Sequence, residues 1–293
     1  MIEVRPADSD ADFAGYADVW NAITPSEPIT VAETRRRLER QPWRLYLVAA
    51  QDDRIVGCGF AGRSDSPGRG FLAVRVLPES RGRGIGDAIL ENCRPHAIEL
   101  GATTISGRVA ANDEGSLRWV VDRGYIEVGR DVELVRELGE EPPSVSPPGI
   151  EIKEVTAAEH DAVYAVAVEC WPDMPTTEPI PAPAYDDWAQ EELRGPVVFG
   201  AFDAGRLVGY AALVTRPASP EVLEHGFTAV VRSHRGRGIA TALKRTQLAW
   251  ASKHGYRRLV TYTQEGNEAM RAINAKLGYV GEPAWILVRR EAV

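Results

Sequence analysis

The sequence predicts an α/β fold with a mixed sheet, built twice in one chain. Matching residues recur at a nearly constant spacing. Trp20 and Trp171 lie 151 residues apart, as do Glu27 and Glu178; Gly57 and Gly209 lie 152 apart; Arg81 and Arg235, and the pairs Gly124-Tyr125 and Gly278-Tyr279, lie 154 apart. So small a drift means one ancestral unit, duplicated, with minor loop changes. Strand-like and helix-like segments also follow the same order in both halves. Between the halves, GEEPPSVSPPG (139–149) is rich in Pro and has no apolar periodicity, so it reads as an extended connection. The expected organisation is a domain over 1–139, a Pro-rich linker over 140–148 and a second domain over 149–293, each near the usual domain size.

Each half opens with a strand, IEVRPA or IEIKEV, followed by a helical segment, ADFAGYADVWNAI or EHDAVYAVAVECW. A Pro-rich loop and a second helix come next. Two apolar strands follow in each half, RLYLVAA and RIVGCGFAG, then VVFGAFDA and RLVGYAALV. A fourth strand, FLAVRVL or HGFTAVV, runs into an Arg-Gly string and a helix that ends at a Gly suited to a helix C-terminus. The pattern closes with a strand (TTISGRVA; RLVTYTQ), a helix (EGSLRWVVDRG; EAMRAINAKLG) and a last strand (IEVGRDVELVREL; WILVRREAV).

Composition narrows the function. A 44% hydrophobic content supports real cores, and a formal net charge of −8 argues against a general nucleic-acid or anionic-membrane binder. No apolar run approaches the ~20 residues of a membrane span, and the acidic start lacks a signal-peptide core. Cys58, Cys93 and Cys170 form no CxxC pair, which suits a reduced cytoplasm without a disulfide frame. No cluster has metal-ligand spacing, so no metal is expected.

The Arg-Gly strings carry the chemistry. RGRGIG covers Arg81, Gly82, Arg83, Gly84, Ile85 and Gly86; RGRGIA covers Arg235, Gly236, Arg237, Gly238, Ile239 and Ala240. Each sits between a strand end and a helix start. Glycines there let backbone N–H groups approach a ligand, and the helix N-terminus adds unpaired donors and a positive dipole. With the arginine charge this suits a pyrophosphate. A flexible glycine turn and an RGG-like RNA-binding segment are the alternatives; the second fits poorly inside folded pattern. Neither string matches a GxxxxGK[ST] phosphate loop or GxGxxG.

VRVLPESRGRGIGDAIL and TAVVRSHRGRGIATALK resemble the acyl-CoA signature of the GNAT N-acetyltransferase superfamily, [RQ]-x-x-G-x-[GA]. Val74 and Val76 before the first copy, Thr228 and Val230 before the second, and Asn267, Gly278 and Tyr279 downstream match as well, so the resemblance spans both halves. It implies two tandem GNAT domains with acetyl-CoA as cofactor. Backbone groups at Val74/Val76 and Thr228/Val230 would pair with the pantetheine arm like an added strand. A free amine would attack the thioester directly in a ternary complex, with a backbone N–H facing the oxyanion.

The resemblance also separates the halves. A Glu eleven residues before the signature serves some members as base. That position is Glu224 in the second half and Gly70 in the first; an exposed loop Glu is the alternative reading of Glu224. The Tyr that many members use as thiolate proton donor is replaced by Asn274 and Val120. Asn274 can hydrogen-bond sulfur but is a poor acid. Asn267 matches the Asn that contacts pantetheine, or else caps a helix; the first half has Asp113 there. Chemistry is therefore expected in the second half, with the first a cofactor-binding or degenerate copy. Trp171, Asp173 and Glu178, with Asp186, Asp187 and Trp188 nearby, suit a cationic amine; a solvated loop with two core Trp is the alternative. The implied activity is N-acetylation of a small-molecule amine by a cytoplasmic monomer or homodimer, without nucleic-acid or membrane partners. A non-enzymatic acyl-CoA sensor or scaffold and a protein acetyltransferase are the competing readings.

Overall fold

A computed structural model describes residues 2–64, 67–174, 180–264, 266–281 and 285–292. In chain order the elements of the first half are β1 (Ile2–Pro6), α1 (Asp10–Ile23), α2 (Val31–Arg40), β2 (Leu45–Gln51), β3 (Arg54–Arg63), β4 (Arg69–Val76), α3 (Ile85–Glu99), β5 (Thr104–Ala110), α4 (Glu114–Val121) and β6 (Ile126–Glu137). The second half repeats them as β7 (Ile150–Glu154), α5 (His160–Cys170), α6 (Tyr185–Glu192), β8 (Val197–Asp203), β9 (Arg206–Thr215), β10 (Val222–Val230), α7 (Ile239–Lys253), β11 (Arg258–Gln264), α8 (Glu268–Lys276), the short β12 (Val280–Gly281) and β13 (Trp285–Glu291).

Two compact units form, but they do not follow the duplication boundary. The first comprises residues 1–129 and 285–293, the second 130–284. The expected domains, 1–139 and 149–293, thus exchange their last strands. β13 pairs antiparallel with β5, Trp285 opposite Ala110 and Glu291 opposite Thr104. β6 pairs antiparallel with β11, Asp131 opposite Gln264 and Glu137 opposite Arg258. The physical reason lies in the repeat. An alternating apolar pattern identifies a strand but not which of two homologous edges it joins. The segment 140–148 belongs to the second unit.

In the first unit the sheet runs β1-β2-β3-β4-β5-β13, antiparallel except for the parallel pair β4 and β5. Strand alternation sorts side chains to two faces. Tyr46, Val48 and Ala73 join Phe13, Tyr16 and Val19 of α1; Leu47, Ala49 and Leu72 join Ile85, Ile89 and Cys93 of α3. The sheet is thus covered on both faces. α1 starts at a capping box between Ser9 and Asp12, and Asp12 also takes two hydrogen bonds from Arg5, each 2.7 Å. The second unit runs β6-β11-β10-β9-β8-β7, again with one parallel pair, β10 and β11. Its core gathers Val163 and Ala167 of α5, Trp188 of α6 and Leu243 and Leu248 of α7 against Phe199, Tyr210 and Leu213.

Candidate functional site

The parallel pair in each unit is short, and that shortness makes the site. β4 and β5 are in register over three pairs, Arg69–Thr104, Gly70–Ile105 and Phe71–Ser106. Beyond Phe71, β4 continues to Val76 out of register with β5, while β5 stays paired to β13 on its other edge from Thr104 to Ala110. β10 and β11 likewise pair at Val222–Arg258, Leu223–Leu259 and Glu224–Val260 and then part. The parting is sharpened by a register shift in β10 between His225 and Thr228. Val74 and Val76, and Thr228 and Val230, therefore lie on the free arm of a splayed pair, where backbone groups can accept an added extended ligand.

Each arm ends in the Arg-Gly turn. Gly82 and Gly84 have φ of 72° and 78°, Gly236 and Gly238 75° and 79°. This is the left-handed region, which non-glycine residues enter at a cost of roughly 1–2 kcal/mol. Gly84 and Gly238 are the N-caps of α3 and α7, so the free N–H groups of both helices open at the turn. Among the described residues, nothing stands within 4 Å of a Cβ position at any of these four glycines. Ile85 and Ile239 anchor the helix starts in the core. Gly86 is small for packing: a Cβ there would meet the Trp119 ring at 3.3 Å. The residue 154 on from Trp119 is Ile273, and Ala240 stands in the position of Gly86.

The arginines differ from expectation. Arg81 donates to Val76 O and to Asp113, and Arg235 donates to Val230 O at 2.8 Å and pairs with Asp173 at 2.7 Å. Both brace the turn onto its own strand. Asp173, expected to meet a cationic amine, instead pairs with Arg232 and Arg235, which hold its carboxyl well below the usual range. Arg237 pairs with Asp203, and Arg83 is exposed. Asn267 caps α8, its Oδ1 accepting from Met270 N, as Asp113 caps α4. Glu178 lies outside the described residues.

The first unit holds a cavity of about 730 Å³ running from Gly82, Gly84 and Gly86 past Val74 and Val76 to Thr24, Arg108 and Trp285. A cavity of this size suits a cofactor-sized ligand. In the second unit the polar groups around the parting strands stand out. Thr228 Oγ1, Thr263 Oγ1 and both amide atoms of the fully buried Asn274 have no hydrogen-bond partner among the described residues. They lie on β10, β11 and α8, the elements that border the gap. Buried polar groups normally find partners, so the glycine cradles and these orphaned groups fit an acyl-CoA arm.

Glu224 faces a charged network. Its Oε2 accepts from Arg216 Nε at 3.1 Å, and Arg216 also reaches Glu133 at 3.4 Å and the Tyr262 hydroxyl at 2.7 Å. His225 points the other way, between Gln247 and the Tyr279 hydroxyl, and burial pushes its pKa well below the ordinary value. Sequence reasoning missed Glu192. At the end of α6 it accepts from Phe227 N through both oxygens, at 3.0 and 2.9 Å, within the irregular stretch of β10. Desolvation pushes its carboxyl up to about 7. Trp171 packs edge-on against Phe227 with ring centroids 5.5 Å apart. No spacing rule points to Glu192; the one sequence signal was the acidic cluster around Trp188.

Comparison with known proteins supplies the context. The model of the Acetyltransferase (GNAT) family matches twice, at residues 15–125 and 160–279. A GCN5-related N-acetyltransferase from Sphaerobacter thermophilus superposes with a TM-score of 0.81 at 20% identity, covering 99% of this chain and 96% of that one. A tandem GNAT protein from the clavulanic acid biosynthesis pathway gives 0.81 at 22% identity, covering 100% and 99%. A glucosamine N-acetyltransferase region of a fungal multi-domain β-N-acetylglucosaminidase gives 0.76 at 16%, covering 99% of this chain and 38% of that one. At these identities the likeness is one of fold. No curated protein matches the chain.

Proposed function

The chain belongs to the acetyltransferase (GNAT) family in both of its halves, and from this premise we propose that it acetylates the primary amine of a small molecule, using acetyl-CoA with both ligands bound together. The fold is that of acyl-CoA-dependent N-acetyltransferases in general. The observation that carries the finer reading is the coincidence, in each unit, of a parted strand pair with a glycine turn open to solvent at a helix N-terminus.

In this proposal the turn N–H groups of Gly236–Ala240 hold the pyrophosphate, and backbone groups of Thr228 and Val230 hold the arm. Acetyl-CoA supplies an acetyl group activated as a thioester. Asn274 offers its amide N–H to the departing sulfur, and Trp171 walls the acceptor side. Glu224 takes the ammonium proton. A second reading gives that proton to Glu192, favoured by its raised proton affinity and its bond to Phe227 N; a proton placed on Glu224 would break its ion pair with Arg216. We place the protein in the cytoplasm, as a monomer or homodimer, with Cys58, Cys93 and Cys170 free thiols.

The test is thiol release from acetyl-CoA across a panel of primary amines, alongside calorimetric titration with CoA. Amine-dependent release and up to two CoA equivalents per chain are expected. CoA binding without release on any amine would replace the enzyme with an acyl-CoA sensor.

A further inference from the structure

The first unit's cavity is rich in arginine. Four arginines line it: Arg75, Arg81, Arg108 and Arg123. Three have carboxylate partners, Arg81 with Asp113, Arg108 with Glu27 and Arg123 with Asp87. Arg75 has none within ion-pair distance among the described residues, and it is 9% exposed. Its hydrogen-bond and ring partners are neutral, and the nearby charges, Arg108 and Glu27, are paired with each other. Nε donates to Thr24 Oγ1 and Nη1 to Val74 O, both at 3.1 Å, and the guanidinium lies 5.0 Å from the Trp20 ring and 5.8 Å from Trp285.

A buried guanidinium without an ion-pair partner of its own is costly, and two hydrogen bonds leave part of its five-donor fork unused. The position is also specific to this copy. The residues 154 on from Arg75 and Arg108 are Ala229 and Tyr262. Arg75 sits between Val74 and Val76 on the free arm of β4, on the face toward α1, away from the α3 side that Val74 and Val76 pack against. The glycine turn opens at the α3 end, so the surplus charge lies at the far end of the cavity, beside Thr24 and Trp285.

We propose that this end of the first unit's cleft is a carboxylate-binding subsite, in which Arg75 receives a carboxylate carried by the ligand beyond its thioester. The assignment rests on the cleft taking an acyl-CoA. The carboxylate belongs either to a dicarboxylic acyl group or to the acceptor. A planar fork held over indole rings suits a bidentate carboxylate, and the same surplus charge repels an ammonium acceptor. The first unit is then not a faded copy of the second but a cleft for a ligand of the opposite charge.

The test uses the full chain and two esters of equal chain length. Succinyl-CoA carries the carboxylate; butyryl-CoA does not. Calorimetric titration should show succinyl-CoA bound roughly ten- to a hundredfold more tightly at one site, the worth of hydrogen bonds to a charged group. Arg75→Gln should bring that ratio near one, and Arg75→Lys should keep part of it. A second arm titrates succinate onto the chain saturated with acetyl-CoA; binding there, abolished by Arg75→Gln, places the carboxylate on the acceptor. If acetyl-CoA binds but neither a succinyl preference nor succinate binding appears in the wild-type chain, the subsite is overturned and the cofactor reading stands. A chain that binds none of the three esters overturns both.

Discussion

At the residue scale, the two carboxylates of the second unit make separable predictions. Glu224→Gln should lower kcat by about 10²–10⁴-fold if Glu224 accepts the proton, the usual worth of general-base catalysis, with acetyl-CoA affinity little changed. If Glu192 is the base, its raised pKa sets the profile: the rate climbs as pH rises through about 7. Glu192→Gln then flattens that limb while Glu224→Gln leaves it in place, and pH–rate curves of the two variants decide between them. Lys244 gives a stability prediction. It is fully buried in α7, near the Tyr279 ring, and desolvation pushes its pKa down from 10.5 to about 7. Between those values the unfolded chain binds the extra proton, so stability should rise with pH across that window. Lys244→Met should raise stability near pH 7 by roughly 1–4 kcal/mol, with the gain shrinking toward pH 10.5, as read by urea denaturation at several pH values.

At the element scale, the glycine turns can be tested position by position. Gly238→Ala forces a side chain into a backbone with φ of 79°; a loss of roughly 1–2 kcal/mol and weaker CoA binding are expected. Gly86→Leu should cost about 1–3 kcal/mol by overpacking against Trp119, measured by thermal melting. These turns, their flanking strands and helices, and the doubling itself were legible because each rests on local pattern: glycine density, alternation, fixed spacing. What was not legible is tertiary. The arginine fork of Arg81 or Arg235 reads as a phosphate ligand until the structure ties it to Asp113 or Asp173. Asp173 reads as a substrate carboxylate for the same reason. Glu192 gains its character from desolvation beside an irregular strand, which no spacing records, and Arg75 stands out because its neighbours' partners are known.

At the scale of the whole molecule, the exchange of last strands sets the folding unit. A fragment of residues 1–139 keeps β6 but lacks β13, so the edge of β5 from Thr104 to Ala110 stays unpaired; exposed edges invite aggregation. We expect that fragment and its complement, 149–293, each to aggregate or melt without cooperativity. A chain joining residues 1–129 to 285–293 through a short glycine linker should melt cooperatively and elute as one species in size-exclusion chromatography. The reverse outcome would return the boundary to the linker.

The exchange also bears on how such a gene can change. Suppose a duplicated copy stops contributing chemistry. In an ordinary tandem protein a stop codon or deletion can discard it without harm to its twin. Here the loss of either half removes a strand from the survivor, so neither copy can be shed by one truncation. The first cleft is thereby kept in the gene whatever it does, and the two clefts can diverge side by side, as they do where Arg75 and Arg108 answer to Ala229 and Tyr262.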